Sequence, residues 1–214
     1  MLRGAPQALL DSYHAERHAA ARENLAVTSA TMDFLVPRTP ADAAHRRAVL
    51  ARAATDPLAR AQVDSGRLAE PFWYVDSPLT TPSPRRPFAG RPPRGQASPA
   101  GPGVLLPDAP VRGGRIRALA RDGFLLLAAP GVDPGAVAGH DARVLNLTDV
   151  DVIGALTAAL DARPAEVWVV RPDAHVAAVL VRPGPAAVAA ALRRAQGYPQ
   201  VEEATRDGVL PAAR

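Results

Sequence analysis

Cysteine is absent from the 214-residue sequence, which excludes disulfide bonds, thiolate metal sites and dithiol redox chemistry. Lysine is absent too, so all 25 basic residues are arginine and a phosphate-binding loop that needs a lysine is excluded. No apolar run approaches the roughly 20 residues that cross a membrane. The N-terminal residues also lack the apolar stretch of a signal peptide. We therefore expect a cytoplasmic protein with no membrane contact.

Aromatic residues make up only 4% of the sequence, and the arginines are dispersed among aspartate and glutamate. A nucleic-acid site would need a basic stripe with aromatic side chains on which bases stack. Nucleic acid is therefore not an expected partner, although the sequence pI is near 10.5. The scarcity of aromatics also means that the core must rely on Ala, Val and Leu.

The N-terminal part has a helical pattern. Apolar residues recur at steps of three and four from Pro6 to Phe34, which predicts one long amphipathic helix. Thr39 followed by Pro40 is a typical helix start, and we expect a second helix over 41–54. A short third helix should begin at Asp56-Pro57 and end near Ser65-Gly66. We assign residues 1–66 to this helical segment.

Proline dominates the next stretch. After the aromatic run Phe72-Trp73-Tyr74, prolines recur every few residues, and proline both removes backbone donors and restricts φ. We therefore expect residues 67–102 to form an extended linker that lies outside packed structure.

The pattern then changes to short apolar runs separated by turns. Strands are predicted at 124–128, 144–147, 167–170 and 176–181, with one helix over 151–160 and a closing helix from Pro185 to Arg194. The turn Arg171-Pro172-Asp173 between the last two strands predicts an antiparallel hairpin. A weaker element, strand or helix, should occupy 111–119. The tail after Gly197 should be disordered or weakly helical.

Two histidine-containing patterns could carry chemistry. His14 and His18 lie four apart on one helix face, a metal-ligand spacing, but no third ligand is evident and we assign no metal. Asp173 and His175 could form an acid–base pair. Because aspartate at a turn usually caps backbone N–H groups, and because Arg171 can pair with Asp173, we expect a structural role for these three residues.

Two segments on either side of the linker carry a family resemblance. The segment Leu2–His18, LRGAPQALLDSYHAERH, continues into Ala21–Leu25. It resembles the last long helix of the flavin domain in FAD-dependent aromatic-ring hydroxylases, which include hydroxylases of aromatic polyketides and phenolic acids. The segment Val170–Ala177, VRPDAHVA, is similar to a hairpin in the thioredoxin-like C-terminal domain of that family. Asp122–Leu127 resembles the opening strand of that domain.

The resemblance implies an α/β fold. It consists of an N-terminal helical segment, a proline-rich linker and, over 103–196, a thioredoxin-like domain with a mixed β-sheet flanked by helices; 197–214 would be a tail. Without cysteine this domain would be redox-inactive. The family uses FAD and NAD(P)H, yet no Gly-x-Gly-x-x-Gly turn is present here. Gly101-Pro102-Gly103 lacks the third glycine and follows no strand.

We therefore expect this chain to bind no cofactor and to perform no catalysis alone. In the resemblance Met1 falls within a helix of the family, so a truncated gene product or an internal start is our hypothesis. Glu16 and Arg17, near Tyr13, would orient the first helix against a flavin domain supplied from outside, or they are plain surface charges. A flavin-domain partner or a homodimer is expected through the apolar helix face. The alternative is a stand-alone interaction or oligomerisation module.

Overall fold

The computed structural model describes residues 5–63, 71–90, 92 and 98–199. Within these ranges the chain forms eight helices and two β-sheets. The helices are α1 (Gln7–Leu35), α2 (Pro40–Arg52), α3 (Pro57–Val63), α4 (Ile116–Ala120), α5 (Pro134–Val137), α6 (Leu147–Val150), α7 (Ala155–Leu160) and α8 (Pro185–Ala195). The strands are β1 (Pro110–Val111), β2 (Gly114–Arg115), β3 (Leu125–Ala128), β4 (Arg143–Asn146), β5 (Glu166–Val170) and β6 (Val176–Val181).

The N-terminal helices begin where the sequence places them. Thr39 and Asp42 form a reciprocal capping box at the start of α2, in which Asp42 N–H donates to the Thr39 hydroxyl at 3.1 Å. The predicted long helix and second helix are confirmed as α1 and α2. The expected end of the third helix, at Ser65-Gly66, lies outside the described residues, as do residues 200–214 of the tail.

The main sheet is mixed. Its strand order is β4-β3-β5-β6. Strand β4 is parallel to β3, β5 is antiparallel to β3, and β6 is antiparallel to β5. The predicted antiparallel hairpin is therefore confirmed as β5–β6. The weaker element expected over 111–119 is a two-stranded ribbon, β1–β2, followed by the helix α4.

Both faces of β3, β5 and β6 are covered, which explains why these three strands are almost continuously apolar. On one face, Leu127 and Trp168 pack with Leu156 and Leu160 of α7. On the other face, Leu126, Val167 and Val169 pack with α8 through Val188 and Leu192. Alternation along β3 and β5 thus sends successive side chains into two separate apolar clusters.

The prediction of a single helix over 151–160 is wrong. Gly154 has φ +71°, and the chain turns there between α6 and α7. The Asp151 carboxylate accepts hydrogen bonds from Leu156 N–H at 3.1 Å and Thr157 N–H at 2.7 Å, so it caps α7. Val152 and Ile153, expected on the helix's apolar side, are 67% and 72% exposed in this turn.

The proline-rich stretch has no helix or strand within 71–90, but it is packed, which corrects the expectation of an unpacked linker. Tyr74, Leu79 and Thr80 are buried, and Thr81 N–H donates to the Ala177 carbonyl of β6 at 2.7 Å. Further along, Gly103 N–H donates to the Val176 carbonyl at 2.7 Å. Proline removes donors, but the remaining N–H groups still hold the stretch against β6.

Candidate functional site

The turn of the β5–β6 hairpin gathers charged side chains at one end of the sheet. Arg171 follows β5, and its Nη2 donates to Asp173 Oδ2 at 2.6 Å. Asp173 Oδ1 in turn accepts the His175 backbone N–H at 3.2 Å, and Ala174 between them has φ +65°. The expected structural role of Asp173 as a turn cap fits this geometry.

Glu16 brings α1 to this turn. Arg171 Nη1 lies 2.5 Å from Glu16 Oε1, and Nη2 lies 3.0 Å from Oε2, so the pair is two-pronged. The Glu16 and Arg171 side chains are only 9% and 10% exposed. Ser77 adds a third hydrogen bond by donating its hydroxyl to Glu16 Oε1 at 2.6 Å. Glu16 was expected to pair outside this chain; its main partner is instead Arg171, which provides a matching fork within the same fold.

Aromatic rings close the cluster on its other side. The His175 ring lies against Tyr74, with centroids 4.6 Å apart, and His175 Nε2 is 3.3 Å from the Phe72 carbonyl oxygen. Arg17 Nη1 donates to the Tyr74 hydroxyl at 3.4 Å. Arg17 therefore contacts the aromatic segment of its own chain. The Tyr13 ring lies outside the cluster and is exposed, with the Arg17 guanidinium 5.9 Å from its centre.

The electrostatics of the cluster favour fixed charges. Burial would raise the pKa of Asp173, but the His175 side chain and the Arg171 guanidinium outweigh that effect and lower the pKa to about 2. Burial likewise opposes the charge on Arg171, yet Glu16 and Asp173 raise its pKa above the ordinary value. Asp173 and Arg171 therefore stay charged at neutral pH.

Five of the six candidate residues from the sequence meet here: Glu16, Arg17, Arg171, Asp173 and His175. Sequence reasoning missed Tyr74 and Ser77, which complete the cluster. The run Phe72-Trp73-Tyr74 in a chain poor in aromatics was the available signal for Tyr74. With both Glu16 and Arg171 buried and paired, the cluster joins α1 to the hairpin.

No sequence pattern indicated a second buried ion pair. Arg86, in the proline-rich stretch, donates from Nη2 to Glu166 Oε2 at 2.8 Å and from Nε to Oε1 at 3.1 Å. Its guanidinium lies 4.6 Å from the centre of the Trp168 ring. Arg86 also donates to the Leu160 carbonyl at 3.1 Å. A single arginine thus fixes the proline-rich stretch to β5 and to the end of α7.

The glycines nearest to a phosphate-binding motif have a different role. A Cβ at Gly103 would lie 2.4 Å from Val75 Cα, and Gly103 has φ +81°. Its N–H and C=O both bond within the fold, to the Val176 carbonyl and to Tyr74 N–H. This close approach is to the protein's own backbone, so the residues around Gly103 do not fit the pyrophosphate of a flavin.

The two histidines of α1 contact each other. His14 and His18 lie ring against ring on the exposed face of α1, with centroids 5.5 Å apart. Across the described ranges, no three His, Asp or Glu side chains come together in a way that could hold a metal ion. Among the helices in those ranges, none combines the length and apolarity needed to cross a membrane.

The described elements and their order match one class of solved structures, the flavin-dependent monooxygenases. The matching structures include PieE with FAD and substrate (TM-score 0.64, 21% identity) and RebC with bound 7-carboxy-K252c (TM-score 0.66, 22% identity). Aklavinone-11 hydroxylase with FAD and aklavinone matches with a TM-score of 0.59 at 22% identity.

The match is extensive for this chain and partial for its neighbours. It covers 91% of this chain and 41% of PieE, and 92% of this chain and 39% of RebC. For aklavinone-11 hydroxylase the shares are 91% and 36%. This chain therefore has the fold of a piece of those monooxygenases and spans about two-fifths of their length. No protein-family model and no curated protein sequence matches it.

Proposed function

We propose that this chain is the C-terminal part of an FAD-dependent aromatic monooxygenase, an oxidoreductase that hydroxylates a phenolic or polyketide ring. The observation that carries the proposal is the fold match over 91–92% of this chain to monooxygenases that are themselves more than twice as long. The resemblance of the segments around Glu16 and Arg171 to the same family supports it independently, since these two segments meet in the structure.

Within this proposal, residues 103–196 form a redox-inactive thioredoxin-like unit. The strand order β4-β3-β5-β6 supports this interpretation: two parallel strands with helical crossover, then an antiparallel hairpin and a closing helix. A sequence without cysteine cannot exchange disulfides. The unit would therefore serve as a packing and docking surface.

The flavin chemistry is proposed to depend on a part of the enzyme that this chain does not provide. FAD, when bound in the complete enzyme, supplies the oxygen activation that hydroxylates the ring. Among the described glycines, Gly103 is the nearest to a phosphate-binding pattern, and its backbone packs against Val75, so the chain by itself is expected to hold no flavin and to oxidise no NAD(P)H.

The outer face of α1 is the proposed contact with the flavin-binding part. Leu10, Tyr13, Leu25, Met32 and Leu35 are all exposed, and at 3.6 residues per turn they fall within about a third of the helix circumference. The inward face of α1 is used by Ser12 and Glu16. We call these five side chains the apolar stripe of α1; Arg17 and Asn24 share its face between Tyr13 and Leu25. Exposed apolar side chains on the outside of a helix are typical of an interaction surface.

The test begins with the purified chain and the genomic DNA beside its reading frame. We expect a colourless protein without NAD(P)H oxidation, and a neighbouring or in-frame sequence that encodes a flavin-binding domain. Co-expression with that domain should give a complex that carries flavin and hydroxylates an aromatic substrate. If the purified chain carried stoichiometric FAD by itself, the proposal that it depends on a separate flavin-binding part would be wrong.

One observation favours a second candidate, a stand-alone interaction module. The chain pairs its own buried charges, with Arg171 neutralising Glu16 and Arg86 neutralising Glu166. If the genomic neighbourhood encodes no flavin-binding domain, and the chain is well folded and captures no flavoprotein, the module becomes the better account.

A further inference from the structure

His175 lies between two hydrogen-bond acceptors. Its Nε2 is 3.3 Å from the Phe72 carbonyl oxygen, and its Nδ1 is 3.4 Å from Asp173 Oδ2. The side chain is only 12% exposed, and within the described residues Nδ1 is a buried atom without a well-formed hydrogen bond. Water therefore has little access to either ring nitrogen.

A neutral imidazole cannot satisfy both neighbours. It carries one N–H, so either tautomer donates to one acceptor and turns a bare lone pair towards the other. A carbonyl and a carboxylate both lack a proton to offer in return. Only the imidazolium, with two N–H groups, donates to Phe72 and to Asp173 at the same time.

Charged and aromatic groups from three elements surround His175. From the hairpin turn, Asp173 and Arg171 face His175; from α1, Glu16 pairs with Arg171 at 2.5 Å. From the aromatic segment, the Tyr74 ring covers the imidazole, and the exposed Arg17 reaches only the Tyr74 hydroxyl, at 3.4 Å. Two buried or half-buried carboxylates, Glu16 and Asp173, thus share the Arg171 guanidinium.

We propose that His175 is a proton-dependent latch. Its imidazolium form ties the aromatic segment to the hairpin through the Phe72 carbonyl and the Asp173 carboxylate. Because Ser77 of that segment donates to Glu16 at 2.6 Å, the latch also steadies α1 against the sheet. Lowering the pH tightens these contacts, and raising it loosens the segment. The latch acts within this chain, whichever flavin-binding partner joins it.

The experiment follows two signals in the full chain as pH is varied: the imidazole resonances of His175, and hydrogen exchange of the peptide that holds Tyr74 and Ser77. Exchange is corrected for the intrinsic effect of pH. A charge-assisted hydrogen bond is about twice as strong as a neutral one, so we expect a roughly fivefold or larger gain in protection as His175 becomes protonated.

The variants separate the latch from general effects of acid. His175→Gln keeps a donor but cannot titrate, so its segment should show no pH-dependent gain. His45→Gln, on the exposed side of α2, should behave as the wild type. If His175→Gln loses its circular dichroism spectrum, Asp173→Asn replaces it and should weaken the gain. The latch is overturned if His175 titrates with no change in protection, if His175 does not titrate, or if a folded His175→Gln retains the wild-type pH response.

Discussion

Glu16 and Arg171 lie 155 positions apart in the sequence and meet in a two-pronged ion pair, with Arg171 Nη1 2.5 Å from Glu16 Oε1. This pair joins the long first helix to the hairpin at the far end of the chain. It also unites the two segments that resemble the aromatic-ring hydroxylases.

Glu16→Gln should destabilise the fold by about 3 kcal/mol, because the buried Arg171 then faces a neutral amide and keeps Asp173, which is 44% exposed, as a charged partner. Urea denaturation followed by circular dichroism measures the free energy of unfolding. Arg38→Ala is the matched control, since it breaks an ion pair whose side chains are 81% and 63% exposed, and it should change stability by less than about 0.5 kcal/mol. Equal losses of unfolding free energy in the two variants would contradict a stabilising role for the Glu16–Arg171 pair.

Arg86→Ala should both destabilise the fold and release the proline-rich stretch. It removes the partner of Glu166, whose side chain is 2% exposed, so we expect a loss of about 3 kcal/mol or more. Limited proteolysis should then cut within residues 71–90 of the variant while the wild type resists. The neighbouring Arg85 is exposed, and Arg85→Ala should leave the digestion pattern unchanged.

Gly103→Ala should be strongly destabilising. Its Cβ would lie 2.4 Å from Val75 Cα, at a φ of +81°, so the backbone of the aromatic segment must move. Gly113 has a similar φ of +89° and open space around it, and Gly113→Ala should cost only the conformational strain of about 1 kcal/mol. Thermal unfolding of both variants compares the two; a melting temperature for Gly103→Ala as high as that of Gly113→Ala would refute the close packing.

Acid should remove a stabilising contribution from Asp173. Its pKa is lowered in the fold from 3.8 to about 2, so the folded state favours the ionised form. The contribution is complete above pH 3.8 and is lost as pH falls through about 2. Since the side chain is 44% exposed, solvent screening makes the effect modest. Stability curves should show this acid loss in the wild type and a smaller loss in Asp173→Asn.

The apolar stripe of α1 should promote self-association of the isolated chain. Leu25 and Met32 are 67% and 50% exposed on that stripe, so Leu25→Glu with Met32→Glu should shift the chain towards monomer in sizing chromatography. Ala26 is exposed away from the stripe, and Ala26→Glu should leave the elution unchanged. A wild-type chain that elutes as a monomer at all concentrations would count against this surface.

Local patterns predicted the elements well because their causes are local. The capping residues Thr39 and Asp42 mark the start of α2, and the Pro172-Asp173 turn marks the hairpin. The break at Gly154 was missed because helical spacing of apolar residues continues through it. In the structure, the positive φ of Gly154 and the cap that Asp151 provides to α7 explain why the chain turns there.

Several residues of the candidate site were predictable, but Tyr74, Ser77 and the pairings between residues were not. Glu16, Arg171, Asp173 and His175 were recognisable from two motifs, but an ion pair between residues 155 positions apart depends on how the elements pack. No sequence motif marked Arg86, because one arginine among many does not indicate which buried carboxylate it will contact in the fold. The proline content likewise concealed the packing of residues 71–90, since backbone donors between the prolines remain available.

The inward face of α1 is unusual in that its fully buried residues are Ser12 and Glu16. Separation of this helix from the hairpin would hydrate a carboxylate and a guanidinium while wetting comparatively little hydrocarbon. Such a step has a small heat-capacity change, so cooling would weaken it far less than it weakens the two apolar clusters of the sheet. The junction between helix and hairpin should therefore persist in the cold and respond chiefly to agents that compete for charge.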